Sequence, residues 1–87
     1  MTIFKYLLDI TGKQTLKLPE GAMVLSIGNQ RGNLCLWAMV DPDRPTKPIT
    51  IAILGTGHPI NKDTKMKHLG SAVIEPFVWH VFELLDQ

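Results

Sequence analysis

The segment best suited to chemistry is residues 55–60, Gly-Thr-Gly-His-Pro-Ile, which follows an apolar run and precedes the most basic part of the chain. Its glycines permit positive φ and close approach of a ligand to backbone N–H groups, whereas Pro59 favours an extended conformation at His58. Backbone N–H groups, a hydroxyl and an imidazole could together hold a phosphate, and Lys62 and Lys65 follow closely to supply positive charge. The segment therefore indicates an anion-binding loop, with a purely structural turn as the alternative.

Two further residues extend this candidate site. Arg31 lies between Gln30 and Gly32 in a predicted hairpin turn, where a guanidinium either is solvated or recognises a phosphate across a subunit boundary. Trp37 lies in an apolar strand, and its indole either belongs to the core or offers a surface on which a base stacks. The predicted ligand-binding residues are Arg31, Trp37, Gly55, Thr56, Gly57, His58, Lys62 and Lys65.

Other chemistries are disfavoured by the spacing of the reactive residues. The segment 55–60 is not a P-loop, because no lysine and serine or threonine follow its second glycine, and it lacks the third glycine of a dinucleotide fingerprint. His58, His68 and His80 are ten and twelve positions apart, which matches no compact zinc motif. Cys35 lies in an apolar run that would hide its thiol from a substrate. The sequence thus predicts no catalytic residue, metal or cofactor, and not an enzyme.

The composition fits one small domain. A chain of 87 residues is too short for two independent cores. A domain of this size buries roughly 60–65% of its unfolded surface, so we expect oligomerisation to help it. A net charge of +1 lacks the basic excess of a protein that holds duplex nucleic acid. One cysteine, no signal-like N-terminus and no long apolar run together predict a cytoplasmic protein that does not enter a membrane.

Apolar alternation predicts an all-β fold. The segments with a period of two are residues 3–8, 14–18, 23–28 and 49–53, and the first two are expected to pair as a hairpin. Residues 34–40 and 77–82 are apolar on both faces, which predicts central strands covered by a second sheet or another subunit. The proline-rich residues 41–48 predict a loop, and residues 62–68 fit either strand or helix. These patterns predict one domain over residues 1–87, a small antiparallel β-sandwich or partly open barrel of about six to seven short strands.

Short motifs are spread over nearly the whole chain. They are Lys5-Tyr6, Gln14, Leu18 to Ala22, Gln30, Leu36 to Ala38, Val40 to Pro42, Gly55 to Ile60 and Phe77 to Glu83. With these motifs the chain resembles a family of small proteins encoded by tailed bacteriophages and prophages. The resemblance implies an early or accessory phage protein that acts in the cytoplasm of an infected bacterium, and it brings no catalytic residues with it.

Two functions follow as expectations. In the first, a homo-oligomer binds and sequesters an anionic, nucleotide-like signal used by bacterial antiphage defence, because subunit boundaries create pockets and a glycine-rich loop beside lysines suits a phosphate. In the second, the protein binds a host defence complex, a host enzyme or a virion component through an exposed sheet face or edge. In that case residues 55–60 are only a structural turn.

Overall fold

The computed structural model describes residues 1–85, and every regular element among them is a β-strand. The seven strands are β1 Thr2–Leu8, β2 Lys13–Pro19, β3 Met23–Gln30, β4 Asn33–Val40, β5 Thr46–Gly55, β6 Met66–Ile74 and β7 Phe77–Leu84. They form two antiparallel sheets, with strand orders β1-β4-β3 and β2-β5-β7-β6. The predicted all-β architecture is confirmed. The last two residues of the predicted domain lie outside the described residues.

The core lies between the two sheets, because alternate residues of each strand point inward. The residues of this core are Leu8, Leu34, Leu36, Ala38, Val40, Ile51, Ile53, Ala72 and Val81. β4 lies at the centre of the three-stranded sheet, and β7 lies between β5 and β6 in the other. The continuous apolar runs of these two strands therefore correctly predicted central positions.

The predicted hairpin of the first two strands is wrong. β1 pairs with β4, whereas β2 pairs with β5 in the other sheet. Between them, the side-chain amide of Gln14 donates to the Asp9 carbonyl at 2.6 Å, and its oxygen accepts from the Asp9 N–H at 3.1 Å. The Gln14 side chain thus takes the partner position that a facing strand would fill. The Gly12 carbonyl then accepts from the Ile53 N–H at 3.2 Å, so the connection is a corner between sheets.

Two segments differ from their predicted boundaries. β5 begins at Thr46, inside the proline-rich segment predicted to be a loop. Pro48 is tolerated there because it opposes only Lys17 of the edge strand β2, while pairing with β7 begins at Thr50. In the basic segment whose structure the sequence left open, the residues from Met66 onward belong to β6.

The sandwich is closed on one side, where β3 lies beside β6. A Cβ placed on Gly70, which has a φ of +157°, would lie 2.8 Å from Cγ1 of Ile27. The side-chain amide of Asn29 donates to the Val73 carbonyl at 3.0 Å. On the opposite side β1 and β2 are the free edges of their sheets. The fold is therefore a sandwich that is open along one side.

Each sheet has an outer face, because the molecule is only two layers thick, with Cα extents of 39 × 33 × 16 Å. The outer face of the four-stranded sheet, here called the loop face, comprises Ala52, Leu54, Met66, His68, Ser71, His80, Phe82 and Leu84. The outer face of the three-stranded sheet, here called the bare face, comprises Ile3, Lys5, Leu7, Met23, Ser26, Gly28, Cys35, Trp37 and Met39. Among residues 1–85 there is no helix long and apolar enough to cross a membrane.

Candidate functional site

The turn after β5 is closed by its own hydrogen bonds. The Gly55 N–H donates to Nδ1 of His58 at 3.0 Å, and the His58 N–H donates back to the Gly55 carbonyl at 3.1 Å. Gly57 has a φ of +91°, which a side chain would disfavour. The Thr56 N–H donates to the Val78 carbonyl at 3.3 Å. The N–H groups of Gly55, Thr56 and His58 therefore have partners within the protein, as a structural turn requires.

A chain of polar side chains ties this turn to the loop face. Oγ1 of Thr56 lies 2.8 Å from Nε2 of His80, and Nδ1 of His80 lies 2.7 Å from Oγ of Ser71. Ser71 Oγ in turn lies 3.1 Å from Nε2 of His68. His80 is half-buried, while the other three residues are exposed. The chain runs from the turn across β7 to β6, so it holds the start of the loop against the sheet.

The hydrogen-bonding capacity of these groups is well matched. With Ser71 donating to Nδ1 of His80, Nε2–H of His80 donates to Thr56 and Nε2–H of His68 donates to Ser71. A serine beside an imidazole also resembles part of a nucleophilic triad. However, the second nitrogen of His80 faces a threonine hydroxyl where a triad has a carboxylate. The arrangement is therefore better suited to holding the turn than to activating Ser71.

A cavity of about 510 Å³ lies between the loop and the sheet. Its apolar residues from the strands are Ala52, Leu54, Met66 and Leu84; the other lining residues are Gly12, Lys13, Pro59, Ile60, Asn61, Asp63, Thr64 and Lys65. The loop residues keep their shape through local hydrogen bonds, since Oδ1 of Asn61 accepts from the Asp63 N–H at 2.9 Å. The cavity thus combines an apolar wall on the sheet with a polar and charged rim. Its volume is typical of small-molecule sites.

The structure places the predicted ligand-binding residues in three regions. Gly55, Thr56, Gly57 and His58 form the turn beside the cavity, while Lys62 and Lys65 lie in the loop that follows, where Lys65 lines the cavity. Arg31 lies at the tip of the β3–β4 hairpin, and its φ of +54° with +84° at Gly32 fits a two-residue turn. Trp37 lies on the bare face of the other sheet, over Gly28.

Sequence reasoning missed two parts of this site. A turn signal at Glu75-Pro76 could have revealed the polar chain, because counting outward from these two residues places Ser71 opposite His80. Lys13 is brought to the cavity by the pairing of β2 with β5, which sets it opposite Ala52. No local sequence signal indicated that pairing, since the short connection between β1 and β2 predicted a hairpin of these two strands.

The last two features are the metal-ligating side chains and the similarity of the chain to known proteins. Within residues 1–85 there is no group of three or more histidine, cysteine, aspartate or glutamate side chains that could hold a metal ion. Searches of curated proteins and of solved structures gave no match. A family described as a domain of unknown function, DUF7352, matches residues 1–87. Because this match spans the whole chain, the protein belongs to the DUF7352 family.

Proposed function

We propose that this protein binds a small phosphate-bearing molecule of nucleotide size in the cavity on the loop face, and that it sequesters this molecule without converting it. The observation that supports the proposal is the cavity itself, with about 510 Å³ between the sheet and the loop. Cavities of roughly 300–1,000 Å³ with apolar walls and a few polar groups are the usual form of a ligand site. A mononucleotide falls within this range.

The lining chemistry suits the parts of a nucleotide. The aliphatic side chains of Leu54, Met66 and Leu84 offer a wall against which a flat base can pack. Lys13 and Lys65 on the rim supply positive charge for a phosphate. The carboxylate of Asp63, also on the rim, suits amino or hydroxyl donors of a base or ribose, so it favours a nucleotide over a bare phosphate.

The proposal moves the ligand away from the turn that the sequence indicated. Because N–H groups of that turn are used within the protein, the turn supports the loop, and the loop and β2 together contact the ligand. The same polar chain favours binding over turnover, since His80 is engaged on both nitrogens. The resemblance to phage proteins supports a role as an accessory, anti-defence factor in the cytoplasm of an infected bacterium.

Thermal unfolding in the presence of a panel of cyclic and linear nucleotides tests this proposal. A ligand at 100 times its Kd stabilises the folded state by about 2.7 kcal/mol, because it binds only the folded chain. For a domain of this size that corresponds to a rise in Tm of roughly 10 °C or more. An unchanged Tm across the panel contradicts the proposal for those ligands.

A matched pair of lysines locates the site. Lys13 and Lys17 lie on the same strand and on the same side of it, but only Lys13 lines the cavity. Lys13→Ala should reduce the ligand-induced rise in Tm strongly, whereas Lys17→Ala should leave it unchanged, and neither substitution should alter the Tm without ligand. Equal loss in both variants would indicate non-specific attraction of the anion to the surface.

A second candidate function is favoured by the open side of the sandwich. Within residues 1–85, β4 is the one strand hydrogen-bonded to β1, and among the seven residues of β1 Lys5 carries the one charge. An extended segment of a host or virion protein could add to this edge as a further strand. Affinity capture from infected cells, followed by hydrogen exchange on the purified pair, tests this function. Protection confined to β1 supports it, and protection elsewhere contradicts it.

A further inference from the structure

The bare face presents apolar side chains to solvent in a continuous row. Ile3, Met39 and Met23 lie directly across from one another on the three strands. Ile3 is 58% exposed and Met23 is 57% exposed, and Leu7, farther along β1, is 62% exposed. All residues that form this face belong to the strands β1, β3 and β4. The row is therefore an apolar surface that the fold leaves uncovered.

Charge is confined to one part of this face. Its single charged residue is Lys5, whose amino group donates to Oε1 of Gln30 at 2.6 Å. Gln30 ends β3 at the hairpin tip, so the Lys5 side chain extends away from the row of Ile3, Met39 and Met23. Lys5 follows Ile3 on this face of β1, but its ammonium group lies toward Gln30 and leaves the row itself apolar. Depletion of charge is the compositional mark of the centre of a protein interface.

We propose that the bare face is the contact surface between two copies of this chain. The exposed apolar side chains of the face, with Met1 beside them, present roughly 500 Å² of apolar surface, and an exposed patch of that size is often functional. A two-fold dimer that buried this apolar surface on each copy would bury about 1,000 Å² in total, the lower limit for a specific interface. The bare face belongs to the sheet opposite the proposed ligand cavity, so self-association does not depend on ligand binding there.

The shape of the face suits a second copy of itself. A depression of about 500 Å³ is lined by Met1, Thr2, Ile3 and Met39, at the same end of the face as the apolar row. Protruding side chains and a depression on one surface allow each copy to fill the depression of the other about a two-fold axis. A charged partner would find one group to pair with on this face, the Lys5 ammonium, which lies toward Gln30 and away from the apolar row.

Sedimentation velocity of the full chain tests the proposal. The purified protein should change from the mass of one chain at about 1 µM to that of two chains at about 100 µM, as for a dimer of intermediate affinity. Ile3→Glu should weaken this association at least about tenfold, because two-fold symmetry places the carboxylate in the interface twice. A wild-type protein that keeps the mass of one chain throughout overturns the proposal and leaves the face to a different partner.

Val73→Glu is the matched control. Val73 is also β-branched, lies on the edge strand of the other sheet and is 52% exposed. Its substitution should leave the association unchanged, and loss of association in both variants would overturn the proposal. If circular dichroism shows that Ile3→Glu does not fold, the association is tested with Met23→Glu on β3 instead. A dimer that persists unchanged in a folded Ile3→Glu or Met23→Glu variant also overturns the proposal.

Discussion

The two outer faces of this sandwich are built from similar alternating strands, but a loop covers one of them and the other is exposed to solvent. On the loop face, ten residues between β5 and β6 fold back over the sheet, so Ala52 and Leu84 are buried although they point away from the core. On the bare face, Ile3 and Leu7 point away from the core and remain exposed. The face of a strand on which a residue lies therefore does not decide its burial. The covering connection contributes to burial, and so do neighbouring side chains, since Cys35 on the central strand of the bare face is also buried.

The lengths of the connections explain the difference. β3 and β4 are joined by the two-residue turn Arg31-Gly32, which is too short to cover anything. The segment 56–65 is long enough to cross its sheet, and its first residues are held there by the chain of Thr56, His80 and Ser71. One face thus acquires a cavity and the other keeps an apolar surface. We infer that ligand binding and self-association are separated in the same way.

The largest effect is expected where β3 and β6 join the two sheets. Gly70→Ala should lower the free energy of unfolding by about 2–3 kcal/mol, since its Cβ would lie 2.8 Å from Cγ1 of Ile27. Gly21→Ala is the control, because Gly21 also has a positive φ of +83° but no atom within 4 Å of the added Cβ. It should lose only about 1 kcal/mol. Urea unfolding measures both, and equal losses would show that close packing of the sheets contributes nothing.

The next effect compares an outward leucine on each face. Leu54→Ser should lower the free energy of unfolding by about 2 kcal/mol, because Leu54 lies beneath the loop. Leu7→Ser should change it by less than about 0.5 kcal/mol in dilute solution, where the bare face is exposed to water. Urea unfolding at low protein concentration measures the pair. A larger loss at Leu7 than at Leu54 would reverse the distinction between the faces.

A smaller effect is expected in the polar chain that anchors the loop. His80→Ala should lower the free energy of unfolding by about 1–2 kcal/mol, because both of its hydrogen bonds are lost. It should also speed hydrogen exchange at the Thr56 N–H, which is bonded to the Val78 carbonyl. His68→Ala removes only the last side chain of this hydrogen-bonded series, counted from Thr56, and should leave that exchange rate unchanged. An unchanged rate in His80→Ala would mean that the chain does not hold the loop.

The smallest effect is a pH dependence at Tyr6, on the inner side of β1. Burial raises the pKa of the Tyr6 phenol above its ordinary value of 10.0, because the folded state disfavours the phenolate. The stability that this contributes is fully present below pH 10.0, the unfolded value, and is lost as pH rises through the higher folded pKa. The urea midpoint should therefore decrease less between about pH 9 and about pH 11 in Tyr6→Phe than in the wild type. Equal falls would exclude Tyr6 as the cause.

Much of the fold could be predicted because the alternation of apolar and polar residues along a strand indicates which face of that strand is apolar. Residues 49–53 were predicted as a strand by their alternation, and Ile51 and Ile53 lie in the core; β4 was placed centrally by its unbroken apolar run. The pairing of β2 could not be predicted in this way. It depends on the side chain of Gln14, which bonds to the backbone of Asp9 and turns the chain towards β5.

The site was only partly predictable for a related reason. Composition drew attention to the turn at residues 55–58, and the structure adds that His58 serves the Gly55 N–H. The cavity depends on where residues 56–65 cross the sheet and on the strand that brings Lys13 beside them. Both are tertiary features without a local motif. Arg31 and Trp37 were grouped with the turn by residue type, although they lie in the other sheet.

Three of the four methionines allow one measurement to test the separation of the two faces directly. Met23 and Met39 lie on the bare face, whereas Met66 lines the cavity. A brief pulse of hydroxyl radicals, read by mass spectrometry, reports how accessible each thioether is. Raising the protein concentration should lower oxidation at Met23 and Met39 but not at Met66, and adding a binding nucleotide should lower it at Met66 alone. Oxidation that falls at all three residues under either condition, or at none of them under both, would contradict the account.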